Sequence, residues 1–212
     1  MSRPPTSHER RSGRSWDDSY QGGPAPWDLD RPQPAVVRLA EQGAFAGAVL
    51  DAGCGTGENA LWLAASGLGV VGFDVAPTAL AAARAKAVSR GLEVRFVVGD
   101  ALELRGLGGP FDTVLDCGLL HTFDSAERLR YLRELASVTE PDGVLHVLCF
   151  ADRPPAPGPH PLSEADLRAT FSPAVGWIVE RLEPEHVQTR FHEPPGAPAW
   201  LATARRTARS SA

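Results

Sequence analysis

Residues 50–59 read Leu-Asp-Ala-Gly-Cys-Gly-Thr-Gly-Glu-Asn. Gly53, Gly55 and Gly57 sit between an apolar run and a helical pattern, which suits a loop whose backbone approaches a ligand closely. Two ligand classes use such a loop. A dinucleotide rests its pyrophosphate on the helix N-terminus. S-adenosylmethionine has no phosphate but carries a sulfonium and an ammonium. The spacing Gly55-x-Gly57-x-x-Ala60 also fits the first class. Asp51 beside the glycines repels a pyrophosphate and attracts an ammonium, so it favours the second. Asp74 lies 19 residues beyond Gly55, where a strand-tip carboxylate can accept both ribose hydroxyls. Asp100 closes a third strand and suits the exocyclic amine of adenine, with Ala101 offering a backbone amide. Strand-tip acids also cap turns, but three in succession after this loop favour the ligand reading. Asn59 and Val75 complete the cofactor set with the backbone around Cys117.

If the ligand is S-adenosylmethionine, the chemistry it offers is methyl transfer from the sulfonium, an in-line displacement with a good leaving group. Alignment and exclusion of water carry most of it, and a base helps only a neutral acceptor. His121, after the fourth strand, is the first candidate base, because a histidine titrates near neutrality. His192, in the late loop, is the second, and Glu193 beside it is weaker. His146, flanked by Val144, Leu145, Val147 and Leu148, reads as structural. His8, His160 and His186 carry no signal. Trp16, Tyr20 and Trp27 are expected to stack on cofactor or acceptor, where cation–π attraction is worth about 0.5–2 kcal/mol. Trp27, Gly118, His121 and His192 are the candidate acceptor-binding residues.

These residues need a sheet to position them. Strands are expected at 48–53, 69–74, 93–100, 111–118 and 144–150, and helices at 57–66, 77–90 and 124–138, with another over 32–42. Such alternation implies a parallel sheet with helices on both faces. The ending differs: a loop at 153–161, a helix at 162–171, then strands at 176–188 and 199–207. The expected fold is therefore α/β and Rossmann-like, a mostly parallel seven-stranded sheet with a C-terminal antiparallel hairpin. The expected organisation is a disordered tail over 1–15, an aromatic lid and helix over 16–47, one catalytic domain over 48–207 and a tail over 208–212.

Composition narrows the function. In 212 residues, hydrophobic types make up 43% and charged types 22%, ordinary for a soluble domain. No apolar run approaches the roughly 18 residues of a membrane span, and the first residues lack the apolar core of a secretory signal. A formal net charge of −5 argues against a nucleic-acid partner. Cys54, Cys117 and Cys149 lack C-x-x-C spacing, as expected of reduced cytoplasmic thiols without a metal. The one lysine, Lys86, excludes chemistry that needs a lysine elsewhere, such as a Tyr-x-x-x-Lys dehydrogenase pair.

With these residues in place, 48–150 resembles the class I S-adenosylmethionine-dependent methyltransferases. Asp51-Ala-Gly53-Cys-Gly55-Thr-Gly57 matches their glycine motif, Asp74 their ribose acid and Asp100 their adenine acid. The run from Asp116, Asp-Cys-Gly-Leu-Leu-His-Thr-Phe, is not the Asn/Asp-Pro-Pro-Tyr/Phe box of enzymes acting on adenine or glutamine amides. Residues 16–207 resemble the thiopurine methyltransferase group, whose Trp-x-x-x-Trp segment corresponds to Trp16-x-x-x-Tyr20, with Trp27 following. Cys117 stands where that group has an arginine. Trp27, Asp28, Arg31, Pro32, Gln33 and Pro34 resemble the entry segment of bacterial enzymes that methylate heterocyclic toxins. The resemblance implies S-adenosyl-L-methionine as cofactor, no metal, and methylation of an O, S or N atom of a small aromatic or heterocyclic acceptor by a monomer or weak homodimer. Halide, thiol or tellurite methylation is the alternative within the class. An NAD-binding oxidoreductase and a non-catalytic cofactor-binding protein are the alternatives outside it.

Overall fold

The structure is a computed structural model that describes residues 3–154 and 158–207. The expected tail over 208–212 lies outside them. Seven strands form one sheet: β1 (Ala48–Ala52), β2 (Gly69–Asp74), β3 (Arg95–Val98), β4 (Phe111–Cys117), β5 (Thr139–Phe150), β6 (Trp177–Val187) and β7 (Ala197–Arg206). Their order is β3-β2-β1-β4-β5-β7-β6. The first five strands run parallel, and β7 pairs antiparallel with both β5 and β6. The expected sheet and hairpin are both present.

The helices are α1 (Ser7–Ser12), α2 (Asp18–Gln21), α3 (Pro34–Glu41), α4 (Glu58–Ala65), α5 (Pro77–Arg90), α6 (Ser125–Ser137) and α7 (Glu164–Thr170). Local chemistry explains their limits. Pro34 and Pro77 open α3 and α5, where a missing N–H costs nothing. Gly91 closes α5 at φ 64°, a conformation that favours glycine. Asp124 with Glu127 and Ser163 with Asp166 form capping boxes on α6 and α7, each satisfying two orphan N–H groups.

Two apolar layers bury the sheet. One packs Leu50, Phe73, Val114, Tyr131, Leu132 and Trp177. The other packs Val36, Leu61, Leu80, Phe96, Leu115 and Leu201. His146 meets Thr203 Oγ1 through Nδ1 and the Ala44 carbonyl through Nε2, each at 3.1 Å. It is structural, as expected of a histidine in an apolar strand.

Residues 3–15, the described part of the expected disordered tail over 1–15, are ordered instead. Thr6 and Glu9 form a capping box on α1, and α1 docks on the body of the protein. Ser7 N–H and Oγ donate to Glu127 at 2.7 and 2.5 Å, and Arg11 reaches His160 at 2.7 Å. The helix is held by side chains 120 or more residues away in sequence, which its own polar composition does not disclose. The fifth strand also starts earlier than expected, at Thr139. Glu140-Pro-Asp-Gly reads as a turn, yet the structure places it within a strand with a register shift, and Asp142 sits at φ 63°.

Candidate active site

The order of the strands reverses direction between β1 and β4. At such a point the helices leave to opposite faces, and a crevice opens at the carboxyl ends of the strands. A cavity of about 650 Å³ occupies this place, within the range of small-molecule sites. Its floor is the loop after β1, its sides are the tips of β2 and β4, and its cover is the N-terminal segment with the late loop before β7.

The glycine loop divides its work. Gly53, Gly55 and Gly57 have φ of 68, 53 and 84°, all in the left-handed region where side chains are strained. Gly53 and Gly55 line the cavity. A Cβ on Gly55 would stand 3.1 Å from Tyr20 Oη, and one on Gly53 would stand 3.0 Å from Leu119 Cδ2. Gly57 faces the protein instead: a Cβ there would meet Phe96 at 2.8 Å and Ala83 at 2.9 Å. The third glycine therefore serves helix packing rather than ligand approach.

Asp74 ties the loop to β2. Its Oδ2 accepts the Gly55 N–H at 2.8 Å, and its Oδ1 accepts the Ala76 N–H at 2.9 Å. Each oxygen retains a further lone pair, and the carboxylate lines the cavity. Burial raises its pKa, and these backbone donors oppose the rise. Asp100 stands just past the end of β3, takes the Leu102 N–H at 2.9 Å and lines the cavity with Val75 and Ala101.

Asp51 lies beneath the loop, 1% exposed. Its Oδ2 is buried with no hydrogen-bond partner. Burial first, then Asp116 and Asp74, push its pKa up to about 7. A buried acceptor without a donor is costly, and an ammonium nearby would relieve it. Asp116 is fully buried too and takes Tyr131 Oη at 2.9 Å, Leu119 N–H at 2.9 Å and Leu120 N–H at 3.2 Å. It holds the turn that carries His121. Its pKa is raised to about 6, chiefly by burial.

The three aromatics expected to form a lid lie together. Trp27 Nε1 donates to Tyr20 Oη at 2.8 Å, and the rings of Trp16 and Trp27 meet edge to face at 5.8 Å. All three line the cavity. Asp17 anchors the segment by accepting Thr78 N–H at 2.8 Å and Thr78 Oγ1 at 2.9 Å. This places a carboxylate in the first turn of α5, where the helix dipole favours it. Lys86 joins lid to loop: its Nζ reaches Glu58 at 2.8 Å, Thr56 Oγ1 at 2.9 Å and Asp30 at 3.3 Å.

Cys117, Gly118, His121 and His192 line the same cavity. His192 Nδ1 meets Thr189 Oγ1 at 2.6 Å. Burial, together with Asp51 and Asp116, raises the Cys117 thiol far above its usual value, so it stays protonated and is no nucleophile. Asn59 Oδ1 accepts the Gln33 N–H at 3.0 Å, which fixes α3 to α4. Of the candidate cofactor-binding, base and acceptor-binding residues named from the sequence, all but Asp51, Gly57 and Glu193 line this one cavity.

Sequence reasoning missed the wall contributed by α1 and the residues before it, where Arg3, His8 and Arg11 line the cavity. His8 stacks on Trp16 with ring centres 4.6 Å apart. The signal was present as Thr6-x-x-Glu9, the spacing of a capping box. Phe150 and the exposed Phe191 were also missed as lining residues.

Similarity agrees with this geometry. Residues 49–143 match the family model described as a methyltransferase domain. A curated relative is the 2-heptyl-1-hydroxyquinolin-4(1H)-one methyltransferase of Mycobacteroides abscessus, 40% identical over 163 residues, 75% of this chain and 71% of that protein. A structure solved in work on the conversion of a disulfide bond into a thioacetal group during echinomycin biosynthesis superposes with a TM-score of 0.84 at 40% identity, over 92% of this chain and 93% of that one. The 1,6-didemethyltoxoflavin-N1-methyltransferase of Burkholderia thailandensis, solved with 1,6-didemethyltoxoflavin and S-adenosylhomocysteine, superposes at 0.66 and 25% identity, over 82% and 77%. Glycine loop, strand-tip acids, sheet order and these relatives converge, and the chain belongs to the class I S-adenosylmethionine-dependent methyltransferase family.

Proposed function

We propose that this enzyme transfers a methyl group from S-adenosyl-L-methionine to an O, S or N atom of a small aromatic or heterocyclic acceptor. The observation that carries this reading is that one cavity is lined both by Gly53, Gly55, Asp74 and Asp100 and by Trp27, His121, Phe150 and His192. The orphaned Asp51 Oδ2 suits a cationic cofactor and not a pyrophosphate. Asp74 would hold the ribose, Asp100 and Ala101 the adenine, and Gly53 and Gly55 the backbone-facing side. Bound there, the cofactor supplies an electrophilic methyl group.

The protein's own residues align and desolvate. Trp16, Tyr20 and Trp27 close one side of the cavity against water, which strengthens every electrostatic contact within it. Flat aromatic rings favour a flat acceptor. The hydroxyquinolone and didemethyltoxoflavin methyltransferases among its relatives support a heterocyclic acceptor. The reading includes no metal, a monomer or weak homodimer, a cytoplasmic location, and no nucleic-acid or membrane partner. The net charge of −5 supports the exclusion of nucleic acid. Among the described residues no helix is long and apolar enough to cross a membrane.

Labelled methyl transfer over a panel of hydroxyquinolones, phenols, thiols and halides tests this. Turnover of ring compounds above halides is expected. Turnover confined to halide would contradict the acceptor class.

A further inference from the structure

His121 is 4% exposed and packs against Phe150, with ring centres 4.5 Å apart. It lines the cavity beside Gly118 and Cys117. Its Nδ1 accepts the Phe150 N–H at 3.5 Å. A ring nitrogen that accepts carries no proton, so in the neutral ring the proton sits on Nε2. Among the described residues, nothing hydrogen-bonds to that Nε2. The groups that act on the ring are His160 and His8, from the loop before α7 and from α1, and both oppose a second proton. Arg11 stands on His160, adding positive charge on the same side. Among the described residues no carboxylate hydrogen-bonds to the ring, whereas a histidine base is ordinarily oriented and its cation stabilised by one. Burial holds its pKa down to about 3.

We propose that His121 meets the acceptor as a neutral Nε2–H hydrogen-bond donor, and that the enzyme takes acceptors whose O, S or N atom is already an anion on entry, such as acidic phenols, enols or thiols. The inference rests on the methyltransferase reading above and deepens it. A base must offer a lone pair, and Nε2–H offers a proton instead. A donor facing an anion gives a charge-assisted bond, roughly twice as strong as a neutral one. It selects the ionised acceptor and fixes its position. The acceptor's proton goes to solvent before binding. An acceptor lone pair then forms the bond to the methyl carbon, and the pair of the breaking carbon–sulfur bond returns to sulfur. The products are a neutral thioether and the methylated acceptor, with no proton passing through the protein.

The first test is the ring itself. Nitrogen-15 NMR of His121, assigned by difference from His121→Gln, reads the tautomer without any acceptor. The expected result is a protonated Nε2 and an unprotonated Nδ1 from about pH 5 to 8, the window in which an ordinary histidine titrates. The reverse tautomer, or titration inside that window, would overturn the proposal. The second test uses variants on phenols graded from phenol to dinitrophenol. His121→Gln keeps a donor but is no base, and it is expected to keep clearly more of kcat/KM on the ionised phenols than His121→Leu. His121→Leu is expected to lose about 10- to 100-fold, the worth of a hydrogen bond to a charged group. Equal losses in both variants would overturn the donor role. Calorimetry with S-adenosylhomocysteine separates the two levels. Failure of the unaltered enzyme to bind it would sink the methyltransferase reading, whereas intact binding with equal losses sinks only this inference.

Discussion

Asp51 shows how one side chain links fold, pH and ligand. Its folded pKa of about 7 stands above the ordinary 3.8, so the free protein holds a proton there that the unfolded chain has lost. A group raised in this way stabilises the fold fully below the unfolded value and loses that contribution as pH rises through the folded one. Asp116, raised to about 6, acts in the same direction. Stability of the free protein should therefore fall as pH climbs from 3.8 towards about 7 and then level off with respect to these two groups. Binding of a cation has the opposite preference, because it needs the carboxylate. Affinity for S-adenosylhomocysteine should rise up to about pH 7 and then flatten, with proton release below that point. Calorimetry in buffers of different ionisation enthalpy reads both. Affinity that falls over this range would remove Asp51 from the site. At this scale the sequence was legible, because Asp51, Asp74 and Asp100 were named by type and spacing alone. The tautomer of His121 was not, since it depends on the Phe150 N–H, 29 residues away.

At the scale of elements, the boundaries that glycine and proline punctuate were read correctly: β2 at 69–74 and α5 at 77–90 match residue for residue. Elements stabilised by distant partners were not. The helix α1 is short, and helices of this length are marginal alone. Its order comes from Glu9, which takes Thr6 N–H at 2.8 Å and Trp16 N–H at 3.3 Å, and from Glu127 on α6. Glu9→Ala removes the box and one tie between α1 and the lid. The expected loss is about 1 kcal/mol of local stability. Hydrogen exchange should quicken over residues 6–16 while the sheet amides stay protected. Unchanged exchange there would mean that α1 is held by its docking contacts alone.

For the whole molecule, the sheet order sets where chemistry happens. The parallel strands β3, β2, β1, β4 and β5 point their carboxyl ends to one side, and the cavity lies there. The antiparallel pair β6–β7 extends the sheet and, through residues 187–192, lends the late loop to the cavity wall. The edge strand β6 carries Glu180, Arg181, Glu183 and Glu185, charges that discourage edge-to-edge pairing. The low lysine content, read first as an exclusion, has a structural sequel: Lys86 bridges Thr56, Glu58 and Asp30, so the one amine of the side chains joins loop to lid. The general architecture was legible because strand and helix periods alternate. The aromatic segment at the crevice was legible from Trp16, Tyr20 and Trp27, whereas the wall that His8 and Arg11 of α1 add was not.

The central claim is that the crevice at the tips of β1, β2 and β4 binds a sulfonium-type cofactor through Asp74. Isothermal titration of S-adenosylhomocysteine and of NADH into the unaltered chain and into Asp74→Ala tests it most directly. The expected result is single-site binding of S-adenosylhomocysteine, none of NADH, and loss of binding in the variant with its circular dichroism unchanged. NADH binding in place of S-adenosylhomocysteine, or equal affinity in Asp74→Ala, would contradict it.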